Sequence, residues 1–129
     1  MNKKAEASLL ESREAVILTH NWLCYLLLPL EFKDDKDESF NRNVYGTICT
    51  NGKELIYNSK FINKLNTPTL DFIVAHEGLH VGLLHCTKRF AHLIESPEDK
   101  QILDESVDFI VNDILIEAGV KPPTIPYLY

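Results

Sequence analysis

Three side chains fall at a spacing that chemistry can use: His76, Glu77 and His80, in the run His76-Glu77-Gly78-Leu79-His80. On a helix, at about 100° per residue, positions i and i+4 lie one turn apart on the same face. Both imidazoles can then bind one Zn²⁺. Glu77, beside them, can reach a water held in an open coordination position. A zinc-bound water loses its proton readily, and a glutamate so placed can take it as general base during attack on a carbonyl. The pattern H-E-x-x-H thus points to hydrolysis of a peptide bond. A five-residue match also arises by chance, and an inert surface cluster or a structural zinc site are the competing readings. The context favours chemistry: Leu70, Phe72, Ile73, Val74, Leu79, Val81, Leu83 and Leu84 make the surrounding helix apolar. Ionisable groups in such a helix are costly unless something pairs with them.

Two histidines leave zinc one protein ligand short. His85 is nearest, but nine positions after His76 it points about 180° away on a continuous helix. It could converge only if the helix broke near Gly82, so it reads better as a residue that packs around the ligands. The other candidates lie downstream in Leu103-Asp104-Glu105-Ser106-Val107-Asp108-Phe109-Ile110-Val111-Asn112. Resemblance of the motif to thermolysin-like gluzincins implies a third ligand from a downstream helix, where an acidic ligand is followed four residues later by a carboxylate that accepts the N–H of a zinc histidine. Two registers offer it, Asp104 with Asp108 and Asp108 with Asn112. Asp108 has the more apolar neighbours, and Asp104 lies nearer the polar start of the helix. The expected site is therefore His76, His80 and Asp108 around the metal, with His85 as alternative third ligand, Glu77 catalytic, and Asn112 and His85 behind the ligands.

Several elements must position these groups. Residues 4 to 28 have roughly helical apolar spacing and predict one long helix ended by Pro29. Its apolar end, Trp22 to Leu30, reads as core. Residues 31 to 43 are polar and charged and predict a solvated loop. Val44–Thr50 and Glu54–Asn58 predict a hairpin with Asn51-Gly52 as a two-residue type I′ turn. Lys60 to Leu65 suggests a short helix. Thr67 or Thr69 can cap the metal helix, with Pro68 in its first turn and an expected span of 69 to 84. Residues 86 to 96 look irregular or briefly helical. Ser96-Pro97-Glu98-Asp99 starts a last helix that ends near Ala118, with Gly119 beyond it. Residues 120 to 129 form a proline-rich, extended tail. Tyr45, Tyr57, His92 and Arg89 are unranked candidates for stabilising an oxyanion.

The 129 residues fit one domain able to bury a core without disulfides, and the expected boundaries are 1 to 129. The net charge of −6 argues against a broad nucleic-acid surface, which needs excess Lys and Arg. Cys24, Cys49 and Cys86 are odd in number and lack a C-x-x-C pattern, which fits a reducing, cytoplasmic setting without a cysteine zinc finger. No apolar run is long enough to span a bilayer, and charges at Glu6, Glu11, Arg13 and Glu14 interrupt any signal-peptide core.

The run Val74 to His85, followed by Asp108-x-x-x-Asn112 with Leu115 and Ala118-Gly119, resembles the putative metallopeptidase domain family of bacteria and phages. The segment Thr47 to Phe61, with its Asn-Gly and Tyr57-Asn58, is similar too, so the resemblance covers most of the chain from about residue 9. The family pattern is H-E-x-x-H-x-x-x-x-H and then an Asp-x-x-x-Asn helix. The resemblance implies an α+β, zincin-like fold and peptidase activity on a peptide or protein substrate. The chain departs from it in lacking the adjoining von Willebrand A-like region and the Trp often found shortly before the Asp, where Leu103 and Asp104 stand. Relatives usually continue past the point matching Tyr129, so the sequence reads as a shortened or a minimal version. Two other functions compete with a peptidase. One is a catalytically silent metal-binding module for protein contacts, such as a phage or bacterial accessory protein. The other is a metal-dependent nuclease, which the acidic balance disfavours.

Overall fold

The structure is a computed structural model and describes residues 3–34, 48–83 and 92–122. Helix α1 spans Lys3–Thr19, a 3₁₀ turn Asn21–Leu23, and α2 Cys24–Leu27. Strands β1 (Glu31–Asp34), β2 (Ile48–Thr50) and β3 (Glu54–Tyr57) follow, then α3 (Ser59–Ile62), α4 (Thr67–Gly82) and α5 (Pro97–Glu117). The strands form one sheet in the order β1-β3-β2. β1 runs parallel to β3, with Glu31 opposite Glu54, and β2 runs antiparallel to it, with Thr50 opposite Leu55. The result is a helix-rich α+β architecture.

Helix α4 lies at the centre, against α1, α2, β2 and α5. Its composition explains this position. Leu70, Phe72, Ile73, Val74, Ala75 and Leu79 are buried around most of its circumference, so it needs neighbours on several sides. Leu9 and Val16 of α1, Leu23 and Leu27 beyond it, Leu55 and Tyr57 of β3, and Val111 and Leu115 of α5 supply the rest of the core. Polar ties fix the layers to one another. Ser12 Oγ donates to Asp71 Oδ1 at 2.6 Å between α1 and α4. Arg13 donates to Leu30 O at 3.1 Å, and its guanidinium lies 4.6 Å from the centroid of the Phe32 ring.

The expected helix over 4 to 28 is two helices. The chain turns at His20, whose φ of −132° and ψ of 74° are not helical. Thr19 also turns its hydroxyl back to Ala15 O at 2.8 Å, a bond that competes with the helix ladder. The bend is what allows Leu23 and Leu27 to reach the core while Leu9 and Val16 stay in it. It also splits the apolar run read as core: Leu23, Leu27 and Leu30 are buried, but Tyr25 is 88% exposed and Leu28 57%.

Residues 31 to 34 are a strand rather than loop. β1 is a sheet edge whose backbone pairs with β3, and such pairing does not require apolar side chains. The rest of the expected loop, residues 35 to 43, lies outside the described residues, as does Val44–Thr47 of the expected hairpin. The hairpin forms, but its turn sits one residue later than expected. Asn51 N donates to Glu54 O, and Gly52 and Lys53 occupy the tip. Gly52 has φ +95°, which suits glycine, while the Asn51 carboxamide accepts from Lys53 N and Glu54 N. Asn58 leaves the strand to cap α3, accepting from Lys60 N and Phe61 N. Asn66, not Thr67 or Thr69, caps α4 by accepting from Thr69 N at 2.9 Å. Ser96 caps α5 as expected, accepting from Asp99 N. α5 ends with Gly119 at φ +90°, where Gly119 N bonds Ile116 O and Val120 N bonds Leu115 O. That paired closure is a Schellman motif, and it folds Val120 into the core. Of the tail, only residues up to Pro122 are described, and of the segment 86 to 96 only residues from His92.

Gly78 and Gly82 form the contact between α4 and α2. A Cβ on Gly78 would lie 2.6 Å from Leu27 Cδ2, and one on Gly82 2.7 Å from Leu26 Cδ1. Leu27 is fully buried, whereas Leu26 is only partly buried. Gly78→Ala is therefore expected to destabilise the fold by about 1–3 kcal/mol through overpacking. Gly82→Ala is expected to be near neutral, because Leu26 can swing aside and alanine favours the helix. Urea melts of the two variants check this, and equal midpoints would contradict the packing account.

Candidate metal centre

His76 and His80 both project from α4 toward α5, with ring centroids 4.6 Å apart and ring planes at 75°. Opposite them, α5 presents Asp108. His80 Nε2 lies 2.8 Å from Asp108 Oδ1, His76 Nε2 lies 3.1 Å from the same oxygen, and the two Nε2 atoms are 2.9 Å apart. The three atoms make a nearly equilateral triangle. A tetrahedral metal site with ligand bonds of about 2.0–2.1 Å has edges of about 3.3 Å, so the triangle is one slightly contracted face of such a site. Among the described residues, no fourth His, Cys, Asp or Glu joins the triangle. The side chains are only 13%, 12% and 35% exposed for His76, His80 and Asp108, so water screens the triangle mainly from the Asp108 side.

The hydrogen bond behind the triangle determines which atoms face inward. His76 Nδ1 donates to Asn112 Oδ1 at 2.6 Å. In a neutral ring, this puts the proton on Nδ1 and leaves Nε2 with a bare lone pair. That lone pair points at a carboxylate oxygen and at a second imidazole nitrogen. Acceptors so close together need positive charge among them, supplied either by protons or by a metal ion. The donor set fits a metal ion: two imidazoles and a carboxylate, one imidazole held by an outer hydrogen bond. Among the described residues, His76, His80 and Asp108 are the group whose ligand atoms all lie within 4.8 Å of one another.

Without a metal, the charges adjust instead. Burial would lower the His76 pKa, but the bonds to Asp108 and Asn112 and the charges of Glu77 and Asp108 together hold it above its ordinary value. Burial works to raise Asp108, yet its bonds to His76 and His80 and their charges bring it well below the usual carboxylate range. Glu77 is buried, and its pKa is raised by that burial against the opposing pull of His76 and His80.

Asp104, the other acidic candidate, is not drawn into the cluster. It is exposed and bonded to Lys100 Nζ at 3.0 Å one turn before it on α5. Asp108 is partly open but better buried than Asp104; of its apolar neighbours Val111 is buried and Ile110 is half exposed. It is the facing histidines that hold it. His85 lies outside the described residues, as do Tyr45 and Arg89. His92 is exposed. Tyr57 is buried, and its pKa is raised by burial and by Asp34 and Glu6, which are not members of the histidine cluster. One neighbour was not anticipated: the Phe72 ring lies 6.4 Å from that of His76, tilted at 40°. Its position four residues before His76 was the available signal.

A family model described as "Putative metallopeptidase domain" matches residues 4–128. No curated protein and no solved structure matches the chain. Among the described residues, no helix is long and apolar enough to cross a membrane.

Two outcomes follow from this geometry. A group whose pKa is raised on folding contributes stability that is full below its unfolded value and is lost as pH rises through the folded one. His76 (ordinary value 6.5) and Glu77 (ordinary value 4.5) both act in that direction. Asp108 acts oppositely, and its contribution is lost only in acid below its ordinary value of 3.8. The metal-free chain should therefore lose stability as pH rises above 6.5, the ordinary histidine value. Bound metal needs neutral imidazoles, so with metal the trend should reverse. Thermal melts with chelator and with Zn²⁺ read this directly, and identical slopes would remove the case for a metal. In addition, Asn112→Ala should weaken metal affinity by about 10–100-fold, measured by chelator competition.

Proposed function

We propose that this chain, which belongs to the putative metallopeptidase domain family, is a zinc-dependent peptidase of zincin-like fold. The observation that carries this reading is the triangle of His76 Nε2, His80 Nε2 and Asp108 Oδ1 beside the buried Glu77. Nitrogen and oxygen donors in a tetrahedral face suit Zn²⁺. When bound by His76, His80 and Asp108, the ion would supply a more acidic water and polarise a carbonyl.

The remaining work falls to the protein's own groups. Glu77 is one residue from His76 and close enough for the charges of both histidines to act on it. Its carboxylate takes a proton from the water whose oxygen attacks the peptide carbonyl. Burial raises its pKa, so it holds that proton well. It then gives the proton to the amine nitrogen as the C–N bond breaks, and ends as a carboxylate again. Asn112 keeps the His76 ring in one tautomer and orientation by accepting its Nδ1–H.

The sheet bears on how a substrate could lie. β3 is paired on both sides and has no free edge. Among the described residues β1 and β2 are the outer strands, and β2, which packs on the metal helix α4, is the better placed to take an extended peptide by backbone pairing.

Glu77→Gln keeps the shape but cannot accept the proton. It is expected to lose hydrolysis of an unstructured protein by at least about 10²-fold while binding zinc as the parent chain does. If Glu77→Gln cleaves at the parent rate, Glu77 does not have this role. If parent and variant bind zinc alike and neither cleaves, the domain is a silent metal-binding module.

A further inference from the structure

We propose that the outward face of α5 is a docking surface for a basic, amphipathic helix of a partner protein. This reading is independent of any activity at the metal centre. Helix α5 buries Val111, Asn112 and Leu115 against the body of the protein. The rest of its surface should be polar, as on an ordinary surface helix. Instead Ile102, Phe109 and Ile116 are exposed, Phe109 at 77% and Ile102 at 62%. They stand seven residues apart, so each lies about 20° round the helix from the next, about 40° from end to end, in a line about 21 Å long. Scattered exposed apolar residues need no explanation, but an aligned row of large ones marks a surface that something covers.

The charge around the row specifies the occupant. α5 carries seven acidic residues and one lysine. Glu105 and Asp113 lie about 40° to either side of Phe109, and both are exposed. Glu98 and Glu117 flank the two ends of the row and are also exposed. Lys100 lies about 180° round the helix from Phe109 and is paired with Asp104. The face is thus an apolar ridge set in negative charge. A second copy of this chain is a poor fit: an antiparallel α5 centred on Phe109 would set Glu105 against Asp113, and a parallel one would set each acid against itself. An anionic membrane is repelled for the same reason. A helix with an apolar stripe flanked by Lys or Arg meets both features, the stripe on the ridge and the cations on the acids. Asp108 is about 100° from Phe109, so a helix docked here would lie along the rim of the metal centre without filling it.

The probe is a synthetic amphipathic helix of about four turns with leucines in one stripe and lysines on its flanks. A second peptide has the same composition with the stripe broken, and a third has glutamate in place of lysine. Binding to the intact chain is read by fluorescence anisotropy at low and high salt. The lysine-flanked helix should bind, and more weakly as salt rises. The other two should not. Phe109→Ser and the double variant Ile102→Ser, Ile116→Ser replace exposed residues, and circular dichroism verifies that they fold. Each should weaken binding by about tenfold or more, as loss of a central apolar anchor does. Equal binding of the broken-stripe peptide, or undiminished binding by the serine variants, would overturn the proposal. So would a dimer in sedimentation that the same serine variants dissociate, since the second copy would then be the occupant.

Discussion

Two imidazole nitrogens and a carboxylate oxygen that lie within 3.1 Å of one another set the terms for this structure. With its Nδ1 proton donated to Asn112, His76 Nε2 presents a lone pair to the lone pairs of Asp108 Oδ1, and the two repel unless positive charge lies among them. In water the solvent would relieve the repulsion, but here the two histidines are almost enclosed. The cluster therefore costs folding energy until protons or a metal ion occupy it. The fold must supply that energy from elsewhere, and must hold α4 and α5 close enough that the ligands cannot drift apart.

The supply comes from the other sides of α4. The buried Phe72, Val74 and Leu79 and the Gly78 contact with Leu27 bind the metal helix to the body of the protein. Without a Cβ at Gly78, α2 approaches α4 more closely than any other residue would permit. The Ser12–Asp71 bond adds a fixed point between α1 and α4. On the far side, Val111 and Leu115 anchor α5 to the core one and two turns beyond Asp108, and the Schellman closure at Gly119 seats Val120 with them. Asp108 and Asn112, four residues apart, are thereby held on one face of a helix that cannot easily roll. One meets both Nε2 atoms, and the other meets the remaining nitrogen of His76.

Electrostatics separates the three acids near the centre. Asp108 is partly open and faces two histidines, so it stays ionised. Glu77 is enclosed, and burial raises its pKa against the opposing pull of His76 and His80. Asp104, one turn along α5, spends its charge on Lys100 at the surface. Burial and partners thus push the pKa values of Glu77 and Asp108 in opposite directions, which suits one as a proton carrier and the other as an anionic ligand.

Much of this was readable from local rules. The i, i+4 spacing of His76 and His80 depends only on helix geometry. The cap at Ser96, the stop at Gly119, the hairpin around Asn51-Gly52 and the one-turn separation of Asp108 and Asn112 depend on neighbours a few residues away. Other features required contacts far along the chain. The break at His20 has no proline or glycine to announce it and exists so that Leu23 and Leu27 can reach the core. β1 reads as a charged loop, because an edge strand is held by its backbone pairing with β3 rather than by its side chains. The capping of α4 by Asn66 was a choice among adjacent polar residues that the entering chain direction decided. Above all, sequence spacing narrowed the facing carboxylate to Asp104 or Asp108, since both lie on the same helix. Only the way α5 packs on α4, through Val111 and Leu115, turns Asp108 toward His76 and His80 and leaves Asp104 to Lys100 and water. The motif on α4 is a property of helical period; the partner it meets is a property of how two helices pack.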